Sequence, residues 1–348
     1  MPTLTGWADA LAARGASVGI FQRFSRDQEA AHRSVHCLLR ADSASSRPPA
    51  TFGGNASLRG AIAAWEPDVV HVNGFDYPRA IRRLRRQVGA TRIVAQDHGG
   101  FEPRVLHPIR RAWMRRGLRA VDAVLVSTPP QRELFRASGL VPGCVRIFDV
   151  MEGSTTLRVE ARRPAAGRPA LLWVGRLNEN KDPLTVVAGF ARFLADQPDA
   201  TLTFVYQDET LGPQLRRAIA ADARLQRTVT LLGAMAQEQL HNLYAAADFF
   251  VLGSHHESTG YAVLEALACG VPPVVTDIPS FRWLTDDGAI GALWRPGDAA
   301  GFHAALELAA SRDIHSQRDA CRQRFDAHFS WNAIGQRAVE IYEELSPT

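Results

Sequence analysis

Short apolar runs rich in β-branched residues alternate along the chain with longer stretches whose apolar positions recur every three to four residues. The runs fall at 68–73, 92–96, 121–126 and 145–150 in the first half. In the second half they fall at 170–174, 201–206, 228–232, 248–252 and 273–276. Between them the spacing is helical, as in Leu184, Val187, Phe190, Phe193 and Leu194. Nearly continuous apolar strands separated by amphipathic helices predict parallel sheets covered on both faces. The period lapses over 160–169, where Pro, Gly and Arg dominate. The pattern therefore predicts an α/β protein of two domains: 1–155, a linker over 156–168, a second domain over 169–328, and a closing helical stretch over 329–348. Residues 43–49 read as a loop, and no internal repeat is visible.

The start departs from the pattern. Leu4, Trp7, Ala8 and Leu11 form a helical stripe stopped at Gly15, and a strand is expected over 17–21. A Rossmann-like domain opens instead with a strand and a glycine-rich turn, and neither precedes this stripe. Two readings stay open: the chain continues upstream of Met1, or the element is lost and leaves a gap in the first sheet.

Composition sharpens one position. Of 40 Lys and Arg residues, Lys181 is the single lysine. Against so strong an arginine bias, a retained lysine marks a place where a compact, flexible ammonium is wanted; survival by chance is the competing reading. Cys37, Cys144, Cys269 and Cys321 are scattered without a CxxC pair, which predicts reduced thiols and no metal or redox centre. No basic segment leads into an apolar run at the start, and the apolar stretch 244–252 is too short to span a bilayer. These features predict a cytoplasmic protein.

The densest chemistry lies in 253–275. A strand ends near Leu252, a loop carries Glu257 and Gly260, and a helix runs through Glu265. Backbone amides of Thr259, Gly260 and Tyr261 at the helix start favour an anion, and Gly260 lets that anion reach the backbone. Two carboxylates beside an anion site suit sugar hydroxyls, from which they accept hydrogen bonds; solvated surface acids are the bland alternative. After the first strand of the second domain, Gly175, Arg176 and Lys181 place two cations where a diphosphate can be clamped, against a loop with incidental charges. The run His255, His256, Glu257 is not read as a metal site, because adjacent side chains diverge and no distant third ligand is evident.

These segments resemble the retaining glycosyltransferases of family 4, which have the GT-B fold: two Rossmann-like, doubly wound parallel-sheet domains facing a central cleft. The family's Glu-x7-Glu segment is matched by Glu257 and Glu265. Its Tyr-x-x-Ala-Asp strand entry is matched by Tyr244–Asp248, its Gly-Arg-Leu…Lys loop by Gly175, Arg176, Leu177 and Lys181, and its closing Ser-Trp helix by Ser330 and Trp331. The likeness covers almost all of 165–345.

The resemblance implies that Arg176 and Lys181 hold the donor diphosphate, Glu257 the transferred sugar and Glu265 the ribose. It sets Leu232 and Gly233 beside the nucleobase, and makes His98 a cleft histidine near the reacting centre. It further implies sugar transfer with retention from a nucleotide diphosphate sugar, without a metal or other cofactor. The residues 149–154 depart from the family's usual Pro-Asn-Gly-Val-Asp, so Glu152 and Gly153 supply a different loop.

The expected acceptor is a cell-envelope glycan or a lipid-linked sugar. Arginine clusters at 79–86 and 110–119, the second interleaved with Trp113 and Met114, suit an anionic membrane surface or are simply solvated helix faces. No recognition motif for nucleic acid accompanies them. The rivals are a nucleotide-sugar epimerase, a phosphorylase of the same shape and a non-catalytic nucleotide-sugar binder. A dinucleotide oxidoreductase is disfavoured, since no G-x-G-x-x-G follows any strand.

Overall fold

Prolines and short polar caps fix where helices begin. Pro lies at the first turn of the helices starting at Pro78, Pro108, Pro129, Pro183 and Pro279, where its missing N–H removes no helical bond. Thr128, Asp182, Asp298 and Asp313 each accept a hydrogen bond from an amide in the turn that follows.

The structure, a computed structural model, describes residues 2–24, 28–32, 35–41, 56–74, 77–97, 103, 106–151, 153 and 169–346. His98 and Glu152, and the linker expected at 156–168, lie outside the described residues. Two units emerge: Met1–Gly153 with Trp331–Thr348, and Ser154–Ser330.

The first unit runs α1 (Pro2–Ala12), β1 (Gly19–Phe24), β2 (Gln28–His32), β3 (Val35–Ala41), α2 (Ala56–Ala64), β4 (Val69–Asn73), α3 (Pro78–Val88), β5 (Arg92–Gln96), α4 (Pro108–Leu118), β6 (Ala123–Val126), α5 (Pro129–Ser138) and β7 (Arg146–Asp149). Its strands form two sheets, a parallel β4-β5-β6-β7 and a mixed β1-β3-β2. No ladder joins the two sheets among the described residues. Side chains bridge them instead. Trp7 on α1 meets His71 on β4 edge-to-face at 5.0 Å, and Phe21 on β1 packs on the core that Ile93, Val124 and Phe135 share. With no described strand on that side, β4 is only half-buried along most of its length, whereas β6 is buried throughout.

The second unit runs β8 (Ala170–Gly175), α6 (Pro183–Phe193), β9 (Thr201–Tyr206), α7 (Gly212–Ala220), α8 (Ala223–Thr228), β10 (Val229–Leu231), α9 (Gln237–Ala246), β11 (Phe249–Leu252), α10 (Tyr261–Ala268), β12 (Pro273–Thr276), α11 (Pro279–Leu284), β13 (Ala292–Trp294), α12 (Ala299–Ala310) and α13 (Ile314–His328). All its strands are parallel, in the order β10-β9-β8-β11-β12-β13. Counted from β8 this is 3-2-1-4-5-6, the dinucleotide-fold order whose direction of winding reverses between the first and fourth strands. Trp173, Phe190, Phe193, Phe204 and Phe250 are fully buried and fill both faces.

The Tyr244–Asp248 motif has a structural purpose. The buried Tyr244 hydroxyl donates to the Ala262 carbonyl at 3.0 Å. Asp248 accepts from the Ala170 amide at 2.9 Å and from the buried Arg318 at 3.3 Å, tying β8, β11 and α13 together.

The closing helix, α14 (Trp331–Leu345), belongs to the first unit and packs on α1. Trp331 sits in a slot walled by two glycines: a Cβ on Gly6 or Gly153 would lie 2.2 Å or 2.5 Å from its ring. Further along, Tyr342 and the His71 ring nitrogen are hydrogen-bonded at 2.7 Å, and Arg146 pairs with Glu344.

Candidate active site

Strands β8 and β11 are neighbours in the sheet, with Phe249 opposite Leu171 and Phe250 opposite Leu172. Helices leave them toward opposite sides, so the loops beyond their carboxyl ends bound a crevice where ligands bind in open α/β sheets. The loop after β8 carries Gly175, Arg176 and Lys181, and the loop after β11 carries Glu257 and Gly260.

Asn180 locks these loops together. Its side chain accepts from the His256 amide and donates to the His256 carbonyl, each at 3.0 Å. Its own carbonyl accepts from the His255 amide at 2.8 Å. Gly253 permits this approach, because a Cβ there would lie 2.8 Å from the Asp182 carbonyl oxygen.

Held this way, the Lys181 ammonium donates to Oε1 of Glu257. The Ser254 hydroxyl donates to the same oxygen at 2.7 Å, and Thr276 fixes Ser254 by donating to its carbonyl at 2.5 Å. The Lys181 and Glu257 side chains are 20% and 13% exposed, so the pair is largely removed from water. Oε2 of Glu257 has no partner among the described residues and remains open as an acceptor.

Next to this pair begins α10. Gly260 stands at its N-cap with φ 72°, a left-handed conformation that favours glycine. No side chain caps the helix and its first turn holds no acid. The amides of Gly260, Tyr261 and Ala262 bond no other described residue. Thr259 is buried and Tyr261 exposed. Such an end offers several N–H donors and the positive pole of the dipole to an anion.

One turn into α10, Glu265 accepts from Gln237 on α9 at 3.0 Å. Its charge is felt locally. Burial first, then Glu265, raises the Tyr244 hydroxyl well above its ordinary range, and the same two causes push the Cys269 thiol up to about 12.

Leu232 and Gly233 follow β10, hydrogen-bonded to the Phe204 carbonyl and the Tyr206 amide. Leu232 is an exposed apolar side chain, and Gly233, at φ 66°, has open space where a Cβ would point. Arg176 is exposed and makes no ion pair among the described residues. It adds to the lowering of the Asp208 carboxyl, which is caused chiefly by hydrogen bonds from Thr210.

Lys181 and Glu257 thus meet directly. Arg176 follows the same strand as Lys181 and stays exposed, its charge felt by Asp208. Asn180 and Gln237 act on partners distant in the chain, for which one sequence carries no signal, and Ser254 acts on Glu257 three residues on without a motif to mark it. His255 bonds Asp182 at 3.1 Å while Glu257 turns to Lys181, so this run does not converge on one point. Elsewhere Asp196, His303 and Glu307 bring potential ligand atoms within 4.8 Å of one another, with His303 bonded to Asp196 at 3.2 Å.

Residues 158–325 match the family described as "Glycosyl transferases group 1", and residues 3–148 match "Glycosyltransferase Family 4". The glycogen synthase of Mycobacterium tuberculosis is 29% identical over 301 residues, covering 81% of this chain and 70% of its own. A GDP-mannose:cellobiosyl-diphosphopolyprenol alpha-mannosyltransferase of Xanthomonas campestris is 28% identical over 295 residues, covering 82% and 76%. Among solved structures, the sucrose-phosphate synthase of Thermosynechococcus elongatus superposes with a TM-score of 0.71 at 21% identity, covering 97% of this chain and 91% of that one. Anabaena Alr3699/HepE, solved with UDP and glucose, gives 0.70 at 17% identity, covering 98% and 95%.

Proposed function

The chain belongs to the family 4 glycosyltransferases, and from that premise we propose that it transfers a hexosyl group from a nucleotide diphosphate sugar with retention at the anomeric carbon. The observation that carries this reading is the Lys181–Glu257–Ser254 cluster beside an uncapped helix start, at the winding reversal of the second unit.

In this reading the donor diphosphate lies against the amides of Gly260, Tyr261 and Ala262, with Arg176 and Lys181 neutralising it. As the glycosidic bond breaks, negative charge grows on the leaving phosphate, and these fixed donors stabilise it without a metal or other cofactor. Glu257, its Oε1 held by Lys181 and Ser254, presents Oε2 to a hydroxyl of the transferred sugar. Glu265, oriented by Gln237, takes the ribose hydroxyls, and Leu232 and Gly233 flank the base. The acceptor attacks from the side of the leaving group, and a phosphate oxygen of that group takes its proton. His98 is the histidine that hydrogen-bonds the donor sugar in this scheme.

The acceptor is a cell-envelope glycan or a lipid-linked sugar, met at the inner face of the membrane by a cytoplasmic protein; the diphosphopolyprenol acceptor in the relatives' name supports this class. Contact with lipid is peripheral in this reading, and no helix of the described residues is long and apolar enough to cross a membrane.

The test is calorimetry with GDP-mannose, UDP-glucose and ADP-glucose in EDTA, on wild type and Lys181→Ala, followed by product analysis with the donor that binds. Lys181-dependent binding and a sugar–acceptor product of retained configuration support the proposal. Release of an altered donor sugar without acceptor indicates an epimerase, and binding with no turnover indicates a non-catalytic binder.

A further inference from the structure

Helices α3 and α4 contain nine arginines and no acidic residue. They pack closely: a Cβ on Gly117 would lie 1.9 Å from Cβ of Pro78, so the start of α3 at Arg79 lies beside the end of α4. Some of these arginines are used by the fold. Arg85 pairs with Asp122, Arg111 donates to the Pro103 carbonyl at 3.5 Å, and Arg115 donates to the Gly139 carbonyl. Arg79, Arg86, Arg116 and Arg119 are exposed.

The solvent side of α4 is not an ordinary polar face. Its buried side is carried by Met114, Gly117 and Leu118. On the opposite side Ile109, Ala112, Trp113 and Arg116 share one stripe at i, i+3, i+4 and i+7. Ile109 is 74% exposed and Trp113 is 40% exposed. Trp113 also walls a shallow groove with Ala112, Arg115, Arg116 and Arg119. An apolar tip, an interfacial tryptophan and several guanidiniums on one short helix match the layering of a bilayer surface, from acyl chain through glycerol to phosphate. A solvated basic face accounts for the arginines but leaves Ile109 and Trp113 without a reason.

We propose that the α3–α4 face is a docking surface for anionic phospholipid bilayers, with Ile109 and Trp113 entering the interface and Arg79, Arg86, Arg116 and Arg119 pairing with lipid phosphates. It rests on the membrane-side acceptor of the reading above and gives that reading a definite contact.

The test uses the full chain in co-sedimentation with vesicles of phosphatidylcholine alone and with phosphatidylglycerol mixed in. Wild type pellets with the mixed vesicles and not with phosphatidylcholine alone, and added salt releases it. Each arginine near an anionic surface contributes about a fivefold gain in partitioning, so Arg116→Gln with Arg119→Gln lowers it roughly twenty-five-fold. Ile109→Ser with Trp113→Ser lowers it further in high salt, where the apolar contribution remains. Bromine-labelled acyl chains quench the fluorescence of wild type, and Trp113→Phe removes that part of the quenching. Glycerol phosphate in solution does not compete.

Retention on mixed vesicles that none of these substitutions alters, or no retention at all, overturns the proposal. So does loss of vesicle binding to excess duplex DNA together with tight DNA binding, or burial of Trp113 in a dimer. Nucleotide binding measured without vesicles is unchanged in the α4 variants. Failure of nucleotide binding in wild type therefore counts against the proposed function, and failure of vesicle binding alone counts against this surface.

Discussion

Replacing Lys181 by Met tests the site twice, because stability and donor binding must separate. In the wild type Oε1 of Glu257 accepts from both Lys181 and Ser254, and the pair is 13–20% exposed. Removing the ammonium leaves a carboxylate largely out of water with one neutral donor. An exposed ion pair contributes about 0–1 kcal/mol and breaking a buried one costs about 3–5, so this intermediate burial implies a loss of about 2–3 kcal/mol. At roughly 2–4 °C per kcal/mol for a unit of this size, thermal unfolding of the second unit falls by about 5–10 °C. Adding Glu257→Gln removes the stranded charge, and the double variant recovers to within about 1 kcal/mol of wild type. Binding does not recover. The charge-assisted contact to phosphate proposed for Lys181 is worth about 1.5–3 kcal/mol, or roughly ten- to a hundredfold in Kd, in both the single and the double variant. Calorimetry with the nucleotide diphosphate and thermal unfolding in its absence supply the two readouts. Unchanged nucleotide affinity in Lys181→Met would refute the assignment of Lys181 to the diphosphate. A double variant as unstable as the single would refute the argument from a stranded carboxylate.

Other outcomes follow from packing. Arg318→Met strands Asp248 against buried backbone and lowers stability by about 3–5 kcal/mol in denaturant unfolding, while Arg318→Met with Asp248→Asn recovers part of it. Gly260→Ala puts a Cβ 2.9 Å from the Phe281 ring at φ 72° and costs about 1–3 kcal/mol by the same measurement. Under native conditions at pH 8, iodoacetamide modifies the exposed Cys144. Cys269, with its thiol near 12, and the buried Cys321 resist until the chain is denatured, as peptide mass spectrometry will show.

The second unit was largely legible in the sequence because its strands are buried on both faces and read as unbroken apolar runs. The runs at 201–206 and 273–276 coincide with β9 and β12. The predicted start at Thr228 falls one residue early, since its hydroxyl still bonds the Arg224 carbonyl at the end of α8. Strand β13 has three residues, too few to show a period, and β2, Gln28–His32, has no apolar alternation to read. The helix start at Gly260 was legible because glycine followed by an uncapped apolar stretch has few other uses. The meeting of Lys181 with Glu257 was not, since they lie 76 residues apart and their contact depends on Asn180 zipping two loops. Nor does any sequence pattern reveal that Gly153 serves to seat Trp331, although its departure from the family loop marked the place.

The first unit is completed by α14 seated on α1, with the whole second unit lying between them in sequence. During synthesis the ribosome therefore delivers α1 to β7 before the second unit and α14 only after it. Until Trp331 emerges, the slot beside Gly6 and Gly153 stays empty, and the early unit waits incomplete while Ser154–Ser330 is free to fold as a self-contained insert. A stop codon just ahead of α14 would then injure the unit made before it, and a chaperone that guards the nascent chain would find its client in that earlier unit.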